Sequence, residues 1–299
     1  MEYVDLSGDT YVVTGSTSGI GKETALSLGR LGAHVVVHGR DEKRGKEVVN
    51  SIQGTEDGSA ELRTADLSEV GQVRGFAEEV RGSVDSLDGL VNNAGGWFSE
   101  GRLTPDGVEY TFAVNHLAPF VLTGELMGLL EGSGGDVITT SSSAHRSGGH
   151  SFDVDSVTSV DGYSGFSAYC RSKLANVMFT RELDRRLRLA DSSVKANCFH
   201  PGAVPGTGFS RGTPLPFRIA AKAASALPEP VVSALFSTPT DGAETPVYLI
   251  ADPSVEVSGR YLKACRTTDP AEEARDDGKA RRLWETSEEL SGVSYGLTG

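Results

Sequence analysis

The sequence has few cysteines, no surplus of positive charge and no long uninterrupted apolar run. Cys170, Cys198 and Cys265 are far apart and show neither a CxxC nor a Cys/His metal spacing. This argues against a disulfide framework, and we expect reduced thiols and no catalytic metal. The net charge is −13, from 28 Lys and Arg against 41 Asp and Glu. Nucleic-acid binding relies on clustered cations, so we expect no nucleic-acid partner.

The sequence also lacks an evident targeting or membrane segment. Met1 to Asp9 is acidic and has no apolar core, so no signal peptide is predicted. The most apolar long stretch, residues 215–236, contains Arg218, Lys222, Glu229 and three prolines. It therefore cannot cross a bilayer as a continuous apolar helix. We expect a cytoplasmic protein with no membrane span.

Short apolar runs alternate with helical patterns along all 299 residues. Strands are predicted at 11–13, 34–38, 61–64, 90–92, 136–140 and 194–199, and a further apolar run lies at 259–262. Helices are predicted at 21–31, 41–52, 70–81, 105–130, 168–189 and 242–250. Strands that are apolar throughout and alternate with helices are typical of a parallel sheet covered on both faces. We predict a single α/β domain over 1–299, a Rossmann-type doubly wound parallel sheet, with a C-terminal extension at about 264–299.

A glycine-rich turn follows the first predicted strand. It comprises Gly15, Ser16, Thr17, Ser18, Gly19, Ile20 and Gly21. Gly15 allows a tight turn, Gly19 lets the backbone approach a pyrophosphate, and Gly21 lets helix and strand pack closely. The N–H groups at the helix start then face the phosphate charge. A purely structural turn would look similar, but the position between a first strand and a helix favours dinucleotide binding.

The residue after the second strand bears on the choice between NAD and NADP. NAD-binding proteins place a carboxylate there, whereas a 2′-phosphate needs a cation. The sequence has Arg40 at this point, followed directly by Asp41. Arg40 could instead be a solvated arginine at the start of a charged helix. Its planar guanidinium suits a phosphate, so we expect NADP(H) in preference to NAD(H).

Tyr169 and Lys173 are four residues apart in a predicted helix, so they share one helical face. A phenol is a poor base at neutral pH, and a nearby ammonium favours its ionised form. Ser142 follows the fifth strand, at the carboxyl edge where open α/β sheets bind ligands. A hydroxyl there can bond a substrate carbonyl. Asn115 lies in a predicted helix, where an asparagine can also serve only a structural purpose.

These segments together resemble the short-chain dehydrogenase/reductase family. The matching motifs are the glycine turn, Asp66-Leu67, Asn92-Asn-Ala-Gly95, Asn115, Ser142, Tyr169-x-x-x-Lys173 and Pro201-Gly202. They occur in the family's order and cover nearly the whole chain. The strings Val114-Asn115-His116-Leu117, Ser142-Ser143-Ala144-His145 and Arg282-Leu283-Trp284 most resemble the retinol dehydrogenase group and the related oxidoreductase that carries WW domains.

The resemblance implies a role for each matching residue. Tyr169 is the expected general acid/base, and Lys173 lowers its pKa and binds the nicotinamide ribose. Ser142 orients the substrate oxygen, with Ser141 as the fallback, and Asn115 holds a water linked to Lys173. The cofactor is expected to contact the glycine turn, Arg40, Asp66, Leu67, Asn92, Ala94, Gly95, Tyr169, Lys173, Pro201, Gly202, Val204 and Thr207. Thr207 departs from the family pattern, because Pro205-Gly206 intervene and place it one residue late.

We therefore expect an NADP(H)-dependent oxidoreductase acting on a lipophilic aldehyde, ketone or retinol-like alcohol. Residues 204–240 fall where the family has its substrate lid, although an ordinary surface helical hairpin would look similar. Two alternatives stay open: a non-catalytic dinucleotide-binding regulator, and a reductase of carbon–carbon double bonds on the same fold. The resemblance also implies a homodimer or homotetramer that pairs through the helices bearing Asn115 and Tyr169.

Overall fold

The computed structural model describes residues 3–148, 153–202, 204 and 237–297. The strands are β1 Thr10–Val13, β2 His34–His38, β3 Ser59–Arg63, β4 Gly89–Asn92, β5 Asp136–Thr140, β6 Lys195–His200, β7 Tyr261–Lys263 and β8 Arg266–Thr267. The α-helices are α1 Gly19–Arg30, α2 Glu42–Gln53, α3 Val70–Ser83, α4 Tyr110–Phe112, α5 Ala118–Ser133, α6 Gly165–Leu189, α7 Pro239–Ala251 and α8 Asp277–Ser291. A π-helical turn, Ala113–Leu117, joins α4 to α5.

The strands form one sheet in the order β3-β2-β1-β4-β5-β6-β7-β8. The pairs are parallel as far as β7, and β8 adds an antiparallel edge. The chain starts near the middle of the sheet, winds outwards to β3, and crosses back to β4. This order confirms the predicted doubly wound α/β fold, and it makes the β1/β4 boundary the switch point where such folds bind ligands.

Two apolar cores cover the two faces of the sheet. Residues of α3, α5 and α6 pack on one face, and residues of α1, α2 and α7 pack on the other. Alternate strand residues supply the two cores; Leu90 of β4 belongs to the first and its neighbour Val91 to the second. Burial on both faces explains why the strands are apolar throughout.

Several helix boundaries differ from the predictions. The helix expected from Pro105 starts at Tyr110, because the chain first turns through Gly107, whose φ is +77°. Glu109 then caps the helix by accepting the backbone N–H groups of Thr111 and Phe112. Residues 143–147 and 154–158 are short 3₁₀ helices, in a segment for which no element was predicted. Polar capping residues and turn residues thus determine where the helices begin, which the spacing of apolar residues does not predict.

Among the described residues, one apolar helical segment, Tyr110–Ser133, is long enough by length and composition to cross a membrane. In the structure, 78% of its most apolar window is buried inside the protein. The helix is apolar all round, which fits a core helix that lies between neighbours. The apolar stretch at residues 215–236, predicted not to cross a membrane, lies outside the described residues.

Candidate active site

The glycine turn lies at the carboxyl end of β1, beside the loop after β4. Gly15 and Gly19 have φ values of +67° and +59°, a region that side chains disfavour. A Cβ atom on Gly15 would lie 2.9 Å from the Cα of Ala94, and one on Gly21 would collide with the side chain of Asn93. The two loops are therefore in direct contact, and glycine is required at both positions.

The start of α1 has no capping side chain. Ser18 makes no cap hydrogen bond, and the first turn of α1 contains no acidic residue. By contrast, Asp41, Ser164 and Asp276 each cap a helix in this protein. An uncapped helix start presents backbone N–H groups and a partial positive charge to a ligand. The turn therefore fits the pyrophosphate of a dinucleotide.

Arg40 and Asp66 lie together at the carboxyl ends of β2 and β3. Arg40 Nη1 is 3.2 Å from the Asp66 carboxylate and 3.5 Å from the Tyr110 hydroxyl. Burial acts to raise the pKa of Asp66, but the hydrogen bonds from Ser68 and the charge of Arg40 lower it overall. The Arg40 side chain is still 62% exposed, so its guanidinium is accessible to an anion. Leu67 is buried in the core on the α3 side.

The loop after β4 does not place every predicted residue in the cleft. The backbone N–H of Ala94 donates to the Thr14 hydroxyl at 3.0 Å, and a Cβ on Gly95 would lie 2.8 Å from Asn115 Oδ1. Asn92 is different, because its side chain donates to Thr123 of α5 at 3.0 Å. It shares the sheet face of Leu90, so the side chain predicted to line the cofactor cleft is directed into the α5 core.

Tyr169, Ser142 and Lys173 meet at the carboxyl edge of β5. The Tyr169 and Ser142 side chains are hydrogen-bonded. Lys173 Nζ donates to the carbonyl oxygen of Thr140 at 2.9 Å and lies 5.8 Å from the centre of the Tyr169 ring. Spacing by one helical turn brings Tyr169 and Lys173 to this edge, and the chain leaving β5 brings Ser142 to it.

Burial is the main influence on the pKa values of Tyr169 and Lys173. It raises the pKa of Tyr169 to about 12, and the hydrogen bond with Ser142 acts in the opposite direction. It lowers the pKa of Lys173 to about 8. Lys173 is not among the groups that shift the pKa of Tyr169 in this structure, and the poor solvation of the buried phenolate dominates. In this state the phenol holds its proton at neutral pH.

Asn115 lies in the π-helical turn and is fully buried. Its Nδ2 donates to the Gly96 carbonyl and to Ser172 Oγ, both at 2.9 Å, and its Oδ1 accepts the Gly96 N–H. The side chain therefore holds the loop after β4 against α6. π-helical turns are common at functional sites. The backbone carbonyl oxygen of Asn115 accepts a hydrogen bond from Asn176 at 2.9 Å.

The last predicted residues follow β6 at the same edge of the sheet. Gly202 has a φ of +87°, and its N–H donates to His200 Nδ1 at 3.3 Å. Pro201, Gly202 and Val204 are partly exposed there. Thr207 and nearly all of the predicted lid at 204–240 lie outside the described residues.

The sequence reasoning missed two buried polar residues beside this site, His145 and Asn176. His145 Nδ1 lies 2.6 Å from the Ser142 carbonyl oxygen, and Asn176 donates to the Thr140 carbonyl at 3.1 Å. His145 stands in the string Ser142-Ser143-Ala144-His145, but its Nε2 accepts the N–H of Ala271, 126 positions away. The Asn176 amide donates to residues 36 and 61 positions away, and its sequence signal was a polar residue among apolar neighbours.

Comparisons with known proteins agree with this geometry. The family model described as short chain dehydrogenase matches residues 9–213. Retinol dehydrogenase 14 of Mus musculus is 37% identical over 302 residues, which span 96% of this chain and 87% of the relative. Polyprenol dehydrogenase of Mus musculus is 38% identical over 297 residues, which span 97% of this chain and 85% of the relative.

Solved structures share the fold over nearly the full chain. An uncharacterized protein from Mycobacterium paratuberculosis superposes with a TM-score of 0.77 at 29% identity, covering 98% of this chain and 97% of that one. A short chain dehydrogenase from Burkholderia cenocepacia in complex with NADP has a TM-score of 0.66 at 27% identity, covering 86% and 96%. The chain therefore belongs to the short-chain dehydrogenase/reductase family, with retinol dehydrogenases among its relatives, and is an NAD(P)-dependent oxidoreductase.

Proposed function

We propose that this enzyme transfers a hydride between NADP(H) and a lipophilic aldehyde, ketone or retinol-like alcohol, with Tyr169 as the general acid/base. The observation that carries the proposal is the hydrogen bond between Ser142 and Tyr169, with Lys173 one helical turn away. A hydroxyl pair at the carboxyl edge of the sheet can bond one substrate oxygen from two sides, and one member of the pair can exchange a proton with it.

The proton chemistry favours the direction of carbonyl reduction. The nicotinamide, when bound, supplies the hydride. As negative charge develops on the substrate oxygen, Ser142 donates a hydrogen bond to it and the Tyr169 phenol gives up its proton. Burial holds the pKa of Tyr169 at about 12, so the protonated form that this step needs is the one present at neutral pH. In the opposite direction the ammonium of Lys173 stabilises the phenolate.

The choice of NADP rests on Arg40. Its guanidinium is held by Asp66 at 3.2 Å, while most of the side chain is exposed at the end of β2. A planar guanidinium presents paired donors to a phosphate, and Asp66 fixes its position without covering it. The uncapped start of α1 fits the pyrophosphate of the same cofactor.

The preference for a lipophilic substrate rests on aromatic residues near Tyr169. Phe166 lies one turn before Tyr169 in α6 and is 49% exposed, which is unusual for so large an apolar side chain. Its ring packs against Trp97 at 5.4 Å between centroids. The names of the relatives, retinol dehydrogenase and polyprenol dehydrogenase, refer to lipophilic alcohols.

The test is steady-state turnover of Tyr169→Phe with NADPH and a panel of lipophilic aldehydes and ketones. Loss of the proton donor should lower kcat by about 10²- to 10⁴-fold. NADPH binding, followed by fluorescence, should be retained because the ring remains. Turnover at the wild-type rate would refute the assignment of Tyr169. Failure of the wild type to oxidise NADPH across the panel would favour a non-catalytic regulator, and product analysis separates carbonyl from double-bond reduction.

A further inference from the structure

The carbonyl oxygen that accepts the Lys173 ammonium is shared with a second buried donor. Thr140 O accepts Lys173 Nζ at 2.9 Å and Asn176 Nδ2 at 3.1 Å. The same Asn176 Nδ2 donates to the carbonyl oxygen of Asn115 at 2.9 Å. One amide therefore joins the end of β5 to the π-helical turn, immediately beside Lys173.

These contacts fix the orientation of the Asn176 amide. Two carbonyl oxygens on one side require the NH₂ group there, since an amide oxygen would face two acceptors. The Oδ1 atom of Asn176 must then face His116 Nδ1, which lies 3.3 Å away. Because Oδ1 can only accept, His116 carries its proton on Nδ1 and donates it to Asn176.

The other ring nitrogen of His116 contacts the C-terminal helix. His116 Nε2 lies 3.1 Å from the Ser287 hydroxyl in α8. With the proton on Nδ1, Nε2 can only accept. The Ser287 hydroxyl also lies 2.7 Å from the Leu283 carbonyl oxygen, so its one proton has two possible acceptors. The ring is fully buried, and burial lowers the pKa of His116 to about 4, so it is neutral at physiological pH.

Asn176 and His116 each reduce the stability of the fold at their positions unless their polar atoms are paired. Asn176 lies in the interior of α6, where asparagine is a weak helix former and competes with the backbone for hydrogen bonds. Both side chains are at most 1% exposed. Buried polar groups of this kind are costly unless all are paired, and a fully paired network imposes one arrangement on its neighbours. The arrangement imposed here is that of the carbonyl that holds Lys173.

We propose that Asn176 and His116 are positioning residues for Lys173, and that they connect the C-terminal helix α8 to the active site. We call these two residues the carbonyl clamp. The proposal rests on the proposed function, because it takes Lys173 as the partner of Tyr169. Without the clamp, the Thr140 carbonyl and the π-helical turn are free to shift, and the ammonium moves with them.

The first test uses matched variants of the clamp. Asn176→Leu removes both donors at similar volume. His116→Asn places an amide where Nδ1 lies and can still donate to Asn176, whereas His116→Gln places its amide where Nε2 lies and can reach only Ser287. Thr286→Val is the control, because its buried hydroxyl lies next to Ser287 in α8 and has no hydrogen-bond partner among the described residues.

We expect Asn176→Leu and His116→Gln to lower kcat by about 10- to 100-fold, as misplaced catalytic groups do. In alcohol oxidation, the limb of the pH profile that reports phenolate formation should move to higher pH, because a displaced ammonium stabilises the phenolate less. His116→Asn should restore most of the wild-type profile, and Thr286→Val should match wild type. A lower melting temperature in all variants, with the pH limb unmoved, would overturn the proposal.

A second measurement does not depend on turnover. The ¹⁵N shifts of the His116 ring should show the neutral Nδ1–H form from pH 5 to 8. The Nε2–H form, or titration near pH 6.5, would overturn the arrangement. If Tyr169→Phe keeps turnover, the proposed role of Tyr169 is wrong. The ¹⁵N spectrum of His116 would still show whether the hydrogen bonds of the carbonyl clamp are present. If Tyr169→Phe loses turnover but Asn176→Leu and His116→Gln keep the wild-type profile, the clamp alone fails.

Discussion

His145 Nδ1 lies 2.6 Å from the carbonyl oxygen of Ser142, and this contact holds the proposed substrate-orienting residue in place. The other ring nitrogen, Nε2, accepts the backbone N–H of Ala271 at 2.9 Å. An amide N–H can only donate, so Nε2 is unprotonated and the proton is on Nδ1, directed at Ser142. The neutral ring thus joins Ser142 to the C-terminal segment.

Replacing His145 should therefore affect both stability and turnover. His145→Phe keeps the ring shape but leaves the Ala271 N–H buried and unpaired, which costs about 1–3 kcal/mol in the free energy of unfolding. Loss of the contact to Ser142 should also lower kcat. His145→Asn can still donate to Ser142, so it should recover turnover but not stability. Denaturant unfolding and steady-state kinetics check the two effects, and wild-type kcat in His145→Phe would contradict this role.

The elements that the sequence predicted best are those that depend on a local pattern of apolar residues. The runs at His34–His38 and Asp136–Thr140 became strands with the expected bounds, because apolar residues covered on both faces leave a continuous signal. The short antiparallel strand Arg266–Thr267 was not predicted, since two exposed residues carry no such pattern. Helix α7 begins three residues before its predicted start, where Thr238 and Asp241 form a capping box.

In the active site, too, contacts between residues close in sequence could be predicted and distant contacts could not. Tyr169 and Lys173 could be paired from sequence because one helical turn separates them. The contact of His116 with Ser287 could not, because it joins residues 171 positions apart through the packing of α8. Asn92 ends β4 as predicted, but strand alternation directs its side chain towards Thr123.

Acid should destabilise the protein through its buried histidines. Burial lowers the pKa of His38 and of His116 to about 4, below the value of about 6.5 for an unfolded chain. Between these values the unfolded chain binds more protons, so the free energy of unfolding falls as the pH is lowered from 6.5 to 4. Each of the two should contribute on the order of 3 kcal/mol over that window.

Two carboxyls act in the opposite direction. Burial raises the pKa of Asp136 to about 6 and also raises the pKa of Asp9, so the folded protein takes up protons there as the pH falls. They offset only part of the loss, because burial also lowers the pKa of a third histidine, His200, to about 4. Urea unfolding at pH 7.5 and pH 5 measures the net change, and His116→Asn should show a weaker pH dependence than wild type. Equal stability at the two pH values would show that these histidines are not held neutral.

Arg40→Ala should change the cofactor preference. Removing a charge-assisted bond to a phosphate costs about 1.5–3 kcal/mol, or roughly a 10- to 100-fold increase in the Kd for NADPH. The Kd for NADH should change little, because NADH has no 2′-phosphate. Lys46→Ala is the control, since it removes an exposed cation of α2 that is paired with Glu42. Equal losses of affinity for both cofactors would contradict a phosphate-binding role for Arg40.

Trp284→Ala tests whether α8 is an integral part of the core. The Trp284 side chain is 1% exposed, and its ring lies 5.0 Å from Phe120 of α5 and 5.9 Å from Phe179 of α6. Truncation should cost about 3–5 kcal/mol in the free energy of unfolding. Trp284→Phe should cost less, because it keeps an aromatic ring and removes an indole N–H that has no hydrogen-bond partner in the part of the chain that the structure describes.

The same helix bears on self-association. Pairing through the helices that carry Asn115 and Tyr169 stays a prediction, and α8 covers the Phe120 and Phe179 side chains of those helices. Sedimentation of the full chain gives its mass in solution and therefore tests whether it pairs. Trp284→Ala should associate further with rising concentration, because it uncovers apolar surface. A variant as stable and as monodisperse as wild type would place α8 outside the core.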